Sequence, residues 1–505
     1  MNKKKNLILL GFVILKFIIQ YCLISSNYDL HRDEFLHLDQ ANHLAWGYLS
    51  IPPFTSWISL LINLLGNTVF WIKFFPALFG ALTIVVVWKA TEELTGNVFA
   101  LVLSATCVLF SALLRINMLL QPNSFDVLSW TTFYFILIKY FKTENSKWLY
   151  IAALVFSVGF LNKYNIIFLL IGLVPAILAT KYRKAFIKKD LYFAMILSLV
   201  LVLPNLIWQY KNNFPVVHHL KELTDTQLVN VDRMDFLKSQ ILFFAGALFV
   251  IIFALYALLF YKPFKNYKAF FGAFIFTLMV FTWFRAKSYY AIGLYPIYIS
   301  FGSVFLANVL KTGWKKYLQF VLIILPILFF NRMNKVSFPN KTPEYMVENH
   351  QQYQRLGMLR WEDGNDHLLP QDFADMLGWK ELAATMDSIC LELPNIDNTL
   401  ILCDNYGEAG AINYYKKNKK IVACSFHADY INWLPLDRNI TDVVLVKATG
   451  DKDIDREKAT QLFDTVYLAG KRINQYARED TIFIYVLRDT KTDIIKIIKD
   501  EINKH

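Results

Sequence analysis

Apolar stretches long enough to cross roughly 30 Å of hydrocarbon recur along this 505-residue chain and then stop near residue 331. The pattern predicts spans near 6–26, 69–88, 98–115, 125–141, 148–163, 165–180, 191–210, 237–260, 269–285, 289–309 and 317–331. The fifth and sixth are parted only by the minimal turn Asn162-Lys163-Tyr164-Asn165, so the count is about eleven at the usual span length. Beyond 331 the period changes. Thr399–Cys403, Lys420–Ser425, Asp442–Lys447 and Thr481–Leu487 are short β-branched or apolar runs that predict strands. Between and after them lie helical patterns at Trp379–Ile389, Ala409–Lys417 and Glu457–Tyr467, with an amphipathic stretch at Asp493–Ile502. Such alternation predicts βαβ units in a small mixed sheet. The expected fold is therefore a mostly α polytopic membrane region, 1–331, followed by an α/β domain, 332–505.

Charge adds an orientation. Residues 1–331 hold 29 Lys and Arg against 13 Asp and Glu, whereas 332–505 hold 23 against 27. The formal net charge of +12 thus belongs to the apolar part, where cytoplasmic loops need it, and nucleic acid is not implied. With Lys3, Lys4 and Lys5 inside, the inner loops carry 18 Lys and Arg and the outer connections ten. An odd number of crossings then puts 332–505 outside the cytoplasmic membrane. The first span is expected to remain uncleaved, because no small-x-small site follows it.

Composition narrows the class further. Only 18% of residues are charged and 56% are hydrophobic, which excludes a disordered, fibrous or ordinary cytosolic protein. Aromatic residues make up 16%, as suits rings at membrane interfaces. Cys22 and Cys107 fall in spans; Cys390, Cys403 and Cys424 fall in the exported domain, where one disulfide would leave a free thiol. No CxxC or zinc spacing occurs. Gly407-Glu408-Ala409-Gly410 is too short for a dinucleotide fingerprint, and the sequon Asn439-Ile440-Thr441 is of a kind too common to use.

The first outer loop, 27–68, carries the candidate chemistry. It contains Tyr28-Asp29-Leu30-His31-Arg32-Asp33-Glu34, a helical pattern from Glu34 to Trp46, then Gly47-Tyr48 and Pro52-Pro53-Phe54. Trp57–Leu65 is a second apolar helical stretch, too short to span. Both patterns fit helices lying along the outer membrane surface. Asp33 and Glu34 would then stand where lipid meets water. A carboxylate there can take a proton from a hydroxyl acceptor or help hold a metal. The same two residues also suit a helix start, with Asp33 as cap and Glu34 at the positive end. Spacing leaves both roles open.

Here the chain resembles a family. Asp-Glu after the first span, then Ala, Gly-Tyr and Pro-Pro, is similar to the membrane glycosyltransferases of GT-C fold. It most resembles the group related to protein O-mannosyltransferases and the lipid A aminoarabinose transferase. Other pieces follow in order: Gln121-Pro122-Asn123-Ser124-Phe125-Asp126 with Trp130, Lys163-Tyr164, Pro204-Asn205 with Trp208, Lys287-Ser288-Tyr289-Tyr290 with Tyr295-Pro296, and Asn405-Tyr406-Gly407-Glu408-Ala409-Gly410. The resemblance implies a polyprenyl-phosphate sugar entering from the outer leaflet, its glycosyl group passing with inversion to an envelope glycolipid, polymer or protein. It implies Asp33 as base or acceptor-orienting group, supported by Glu34. One departure matters. Relatives of the aminoarabinose enzyme carry Arg two residues after the pair, where this chain has Leu36, and Arg32 becomes the nearest substitute for holding the donor phosphate.

A departing lipid phosphate needs cations at the outer interface. The topology offers Arg32, Arg115, Lys163, Arg285 and Lys287, with Tyr289 and Tyr290 beside the last; each cation can also simply snorkel from a helix end. Gln121 and Asn123 suit sugar hydroxyls. Asp126 either caps the fourth span or lines a cavity. Asn205 and Gln209 share a helix face and suit either a site or interhelical hydrogen bonds. His218 and His219 suit a divalent metal, an acceptor or interfacial packing. His31, His37 and His43 read as loop and surface-helix residues. A transporter or flippase of lipid-linked sugars is the main rival. It would place charges at the bilayer midplane and repeat its halves, whereas here only Lys16 lies mid-span. A non-catalytic receptor would leave Asp33 and Glu34 dispensable.

Overall fold

The computed structural model describes residues 3–448 and 461–502. The chain forms two compact units, Met1–Ile24 with Ala45–Asn340, and Ser25–Leu44 with Lys341–His505.

The first unit is helical, and every apolar stretch expected to span begins or lies within a helix. Four helices are long and apolar enough to cross a membrane unbroken: Lys3–Cys22, Val69–Glu93, Lys189–Lys211 and Lys315–Ser337. Three further stretches are bent pairs: Ile166–Leu178 with Lys181–Ile187, Arg233–Phe243 with Ala245–Phe260, and Ser288–Leu294 with Pro296–Val309, turned by 111°, 65° and 48°. Counting each pair as one span gives up to seven by length and composition, against about eleven apolar stretches in the sequence. The stretch 125–141 lies in the 21-residue helix Asn123–Thr143, and others fall in shorter helices. Val98–Leu109 and Lys147–Asn162 have 12 and 16 residues, about 18 and 24 Å at 1.5 Å per residue. The stretch 98–115 breaks where Phe110 leaves helical geometry, and only the short helix Leu113–Ile116 follows.

Lys16 does not snorkel. It is buried, with Nζ donating to Asn117 Oδ1 at 3.0 Å and to Gln20 Oε1, while Gln20 Nε2 donates to the Leu114 carbonyl at 3.1 Å. An ammonium inside an apolar bundle is tolerable because amide oxygens solvate it. This unit extends to Asn340, and the Lys315–Ser337 helix continues past the apolar stretch that ends near 331.

The second unit is built on a five-stranded mixed sheet. Its strands are β1 (Thr399–Cys403), β2 (Ala423–Ser425), β3 (Asp442–Ala448), β4 (Phe463–Ile473) and β5 (Thr481–Thr490), in the order β2-β1-β3-β5-β4. β1 runs parallel to β2 and β3, with Leu400 opposite Val443; β5 runs antiparallel to β3 and β4, with Val486 opposite Val444. Leu400, Val443, Phe463 and Leu487 form one core face, closed by Ile494 and Ile498 of the terminal helix Ile494–Ile502. The helix expected over Glu457–Tyr467 is corrected. Its part from Phe463 onward is strand β4, and residues 457–460 lie outside the described residues. As an edge strand β4 buries little, so its sequence shows no clean alternation; hydrogen bonding to β5 decides the outcome. Cys390, Cys403 and Cys424 are free thiols, and no disulfide links them.

Ser25–Leu44 packs into this second unit. Asp29 Oδ2 accepts from the backbone N–H groups of Trp379 and Lys380 at 3.0 and 3.2 Å, capping the helix Trp379–Glu392. The helix expected from Glu34 to Trp46 runs Arg32–Gln40 and buries seven of its nine side chains. It is therefore an interior helix of the domain, not one lying along a membrane surface. Phe35 is wholly buried among the rings of Trp379, Tyr414 and Tyr415. The second apolar stretch forms the helix Phe54–Leu64 in the first unit.

Candidate functional site

The start of the Arg32–Gln40 helix separates the two adjacent carboxylates. His31 is the cap: its Nδ1 accepts from the Asp33 backbone N–H at 3.2 Å, and Glu34 Oε2 accepts from the His31 N–H at 2.9 Å. This reciprocal box satisfies two orphan donors and engages Glu34, which is fully buried. Glu34 is thus a structural support of the helix start. Asp33 is released from capping. Its Oδ1 accepts from the Tyr406 hydroxyl at 2.7 Å, and its side chain remains 32% exposed. Burial pushes this carboxyl up, but His31, the Tyr406 hydroxyl, His37 and Arg32 pull harder, and it settles at about 2. Asp33 is therefore ionised across the physiological range.

Arg32 is not an open phosphate cation. It is buried, its guanidinium 3.9 Å from Asp375 and 3.8 Å from Glu479, with Nη2 donating to Asn405 Oδ1 at 3.4 Å. Its Cζ lies 4.4 Å from the centre of the Tyr406 ring. Burial works against its charge and is outweighed by Tyr406, Glu479, Asp375 and Asp33, so its pKa rises. With its charge compensated internally, Arg32 ties the Asp33 segment to the rest of the domain. These partners engage the guanidinium that the sequence offered to the donor phosphate.

Tyr406 opens the helix Tyr406–Tyr415, which a second capping box begins: Asn405 Oδ1 accepts from Gly407 and Glu408 N–H, and Glu408 reaches back to the Asn405 N–H. Gly407 and Gly410 let this helix meet the Arg32–Gln40 helix closely. A Cβ at Gly410 would stand 2.5 Å from Phe35 Cβ, and one at Gly407 3.1 Å from Arg32 Cβ. The far end of the Arg32–Gln40 helix is held by Asp39, which accepts from the Tyr430 hydroxyl at 2.5 Å and Asn413 Nδ2 at 3.0 Å. Sequence inspection singled out the Asn405–Gly410 run without assigning it a task; the structure brings its Tyr406 hydroxyl to Asp33.

A second cluster forms within the membrane unit. Lys163 Nζ donates to Asn123 Oδ1 at 2.7 Å and lies 5.1 and 4.4 Å from the ring centres of Tyr289 and Tyr290. Asn123 Nδ2 in turn donates to Gln121 Oε1 at 3.0 Å. Asp126 accepts from Trp130 Nε1 at 3.0 Å and from Asn165 Nδ2 at 2.8 Å, and Asn165 also donates to the Tyr290 carbonyl. Lys287 is close enough to act electrostatically on both Lys163 and His219. Two ammonium groups held near each other, with one carboxylate nearby, leave a local positive excess suited to an anion.

Comparison with known proteins bears on the fold that carries these residues. The family described as dolichyl-phosphate-mannose-protein mannosyltransferase matches residues 50–208. The lipid A galacturonosyltransferase RgtD of Rhizobium johnstonii is 25% identical over 223 residues, 43% of this chain and 46% of that protein. The match thus spans less than half of that relative. Over nearly the whole chain, the structure superposes on ArnT from Cupriavidus metallidurans bound to undecaprenyl phosphate. The TM-score is 0.61 at 13% identity, covering 94% of this chain and 97% of ArnT. The apo form of ArnT gives 0.60, also at 13% identity, with 94% and 98% covered. This chain has the GT-C fold.

On the GT-C fold the separated sequence pieces meet. Gly47 lies against Trp208, where a Cβ would stand 2.4 Å from the ring, and Asn205 Nδ2 donates to the Trp46 carbonyl at 2.7 Å. Asn205 Oδ1 accepts from the Tyr164 hydroxyl, to which Gln209 also donates, so these two amides tie the Lys189–Lys211 helix to the 163–165 turn and to the loop at Trp46. Not every expected site residue joins a cluster. Arg285 is exposed and donates to the Val229 carbonyl at 3.3 Å, lining a crevice of about 240 Å³ with Asp232 and Arg233. Arg115 ends the short helix Leu113–Ile116, two residues before Asn117 of the Lys16 network.

His218 and His219 are consecutive on the helix Pro215–Thr226, so their side chains diverge by about 100° at 3.6 residues per turn. His219 faces Glu222 at 3.9 Å. Among the described residues no three His, Cys, Asp or Glu side chains gather to hold a metal. The two histidines do not fit a ligand pair, and no step below is routed through a metal. His37 and His43 are interior and stacking residues: His37 Nδ1 bonds Gln40 Oε1 at 3.1 Å, and His43 stacks on Trp433 at 4.3 Å.

Proposed function

We propose that this chain is a glycosyltransferase of the cytoplasmic membrane, moving a sugar from a polyprenyl-phosphate donor to an envelope acceptor at the outer face. The observation that carries the reading is Asp33, an ionised, partly exposed carboxylate with one oxygen engaged by Tyr406. Its exposed edge is what an acceptor hydroxyl would meet, with Oδ2 lying 3.8 Å from His31 Nδ1. The hydroxyl oxygen attacks the anomeric carbon with inversion, the bond to the phosphate oxygen breaks, and polyprenyl phosphate leaves with the electron pair. The hydroxyl proton passes to Asp33. A carboxylate held at about 2 is a weak base, so it takes that proton only as the new bond forms; before then it orients the hydroxyl and favours its developing charge.

Within the membrane unit, Lys163 and Lys287 are the cations we assign to the donor phosphate. Asn123 and Gln121 hold the first in place, and Tyr289 and Tyr290 flank it. Undecaprenyl phosphate bound to ArnT and the lipid A specificity in the name of RgtD support an undecaprenyl-type donor and a glycolipid acceptor. The N-terminus is cytoplasmic and the α/β unit exported on this reading.

Membranes containing the chain, given a panel of radiolabelled undecaprenyl-phosphate sugars and isolated envelope glycolipids, test it. Labelled product is expected, with Asp33→Asn lowering kcat by roughly 10²-fold or more and Lys163→Ala chiefly weakening donor use. Absence of transfer from every donor, with lipid-linked sugar instead crossing vesicle membranes, would replace the transferase by a flippase.

A further inference from the structure

The exported unit does more than accompany the membrane unit, because it contains the carboxylate itself. Asp33 belongs to Ser25–Leu44, which folds with Lys341–His505. What fixes Asp33 within that unit is Tyr406. We propose that Tyr406 is the positioning residue for Asp33, its hydroxyl holding Oδ1 and so, with His31 Nδ1 3.8 Å from Oδ2, fixing the orientation in which the carboxylate meets the acceptor. This inference rests on the glycosyltransferase reading above.

The geometry is specific. Tyr406 is the first residue of its helix, so the Asn405 and Glu408 capping box fixes where its Cα sits. Its ring is held by two contacts, the Arg32 guanidinium 4.4 Å from its centre and the His427 ring stacked at 5.4 Å with planes 19° apart. The hydroxyl then reaches Asp33 Oδ1 at 2.7 Å. The neighbouring Gly407 leaves space for Arg32, where a Cβ would come 3.1 Å from Arg32 Cβ. Every part of the run thus serves one placement. A tyrosine hydroxyl donating to a carboxylate leaves the acid ionised and blocks one of its two oxygens, and a hydrogen bond to a charged group is among the stronger ones. The titratable groups facing Asp33 are His31, Arg32 and His37 from its own helix, Tyr406 from the helix Tyr406–Tyr415, and Asp375.

Tyr406→Phe keeps the ring contacts and removes only the hydroxyl. In full-length protein assayed for sugar transfer as above, kcat is expected to fall about tenfold or more, with KM for the donor within about twofold. The acid limb of the pH–rate profile should move up as Asp33 loses a group that favours its charge. The double variant with Asp33→Asn should be no slower than Asp33→Asn alone, because the hydroxyl then has nothing left to position. Thermal stability measured beside these assays separates positioning from packing: Tyr406→Ala should lose both stability and rate, Tyr406→Phe mainly rate. Unchanged kcat and pH profile in Tyr406→Phe, or losses that add in the double variant, would overturn the assignment. Transfer unaffected by Asp33→Asn would overturn both it and the base while leaving the glycosyltransferase standing. No transfer by the unaltered chain would overturn the function and this inference with it.

Discussion

Two neighbouring carboxylates at one helix start have opposite fates, and the difference is set by a single turn of backbone. Glu34 occupies the third helical position, from which its side chain folds back onto the His31 N–H; Asp33, one residue earlier, points away to Tyr406. Glu34→Ala is expected to cost about 1 kcal/mol of stability, as other capping losses do, while Glu34→Gln, which keeps an acceptor, should retain both fold and transfer. A Glu34→Gln enzyme as slow as Asp33→Asn would contradict this division. Asp33 makes a pH-dependent contribution of its own. Its folded value near 2 lies below the roughly 3.9 of an unfolded aspartate, so it stabilises the fold above that range and ceases to as pH falls through 2. Asp33→Asn should therefore lower the melting temperature at pH 6–7, and the gap to the unaltered chain should close as the medium is acidified towards pH 2. A gap that widened in acid would refute the depressed value. Spacing and resemblance made Asp33 legible, and the Asp-Glu pair marked the helix start, yet the cap proved to be His31. The surroundings of Arg32 were not legible. A cation near the proposed phosphate site looks available in sequence, and only folding brings Asp375 and Glu479, more than 340 positions away, beside it.

At the scale of elements, close helix contact depends on residues without side chains. In the membrane unit Gly302 of Pro296–Val309 faces Leu248–Phe260 so tightly that a Cβ would stand 2.0 Å from the Val250 carbonyl oxygen. Small residues let membrane helices approach where no hydrophobic drive between helices exists. Gly302→Ala must push the two helices apart and is expected to cost about 1–3 kcal/mol, read as a lower melting temperature in detergent. Gly11→Ala, where nothing lies within 4 Å of the added methyl, is the control and should be nearly neutral. Equal behaviour of the two variants would deny the close contact. Periodicity located nearly all the helices and four of the five strands because most of those elements carry a continuous apolar pattern. It failed at β4, an edge strand with few buried positions, and at Glu34–Trp46, whose helix stops at Gln40. Apolarity persists through Phe110, where the backbone leaves helical geometry, and hydropathy cannot register such a break.

For the whole molecule, the open quantity with functional weight is which side of the membrane holds each end. Donor phosphate chemistry at Lys163 and acceptor chemistry at Asp33 belong to one reaction only if both face the same compartment. Seven crossings, each bent pair taken as one, or about eleven by hydropathy, are odd and separate the N-terminus from the C-terminal unit; four unbroken helices alone would put both on one side. The distribution of charge favours the odd count. With the N-terminal lysines inside, the inner connections carry 18 Lys and Arg and the outer ones ten, as the positive-inside rule requires of short loops. Alkaline phosphatase fused after Ile502 should therefore be active and a green fluorescent protein at the same point dark. Fusions in the short connection between Glu93 and Val98, which the N-terminal lysines place inside, should behave the opposite way. A fluorescent C-terminal fusion would return Asp33 to the cytoplasm with the rest of its unit. The outer-leaflet donor would then be out of its reach, however well Tyr406 holds it.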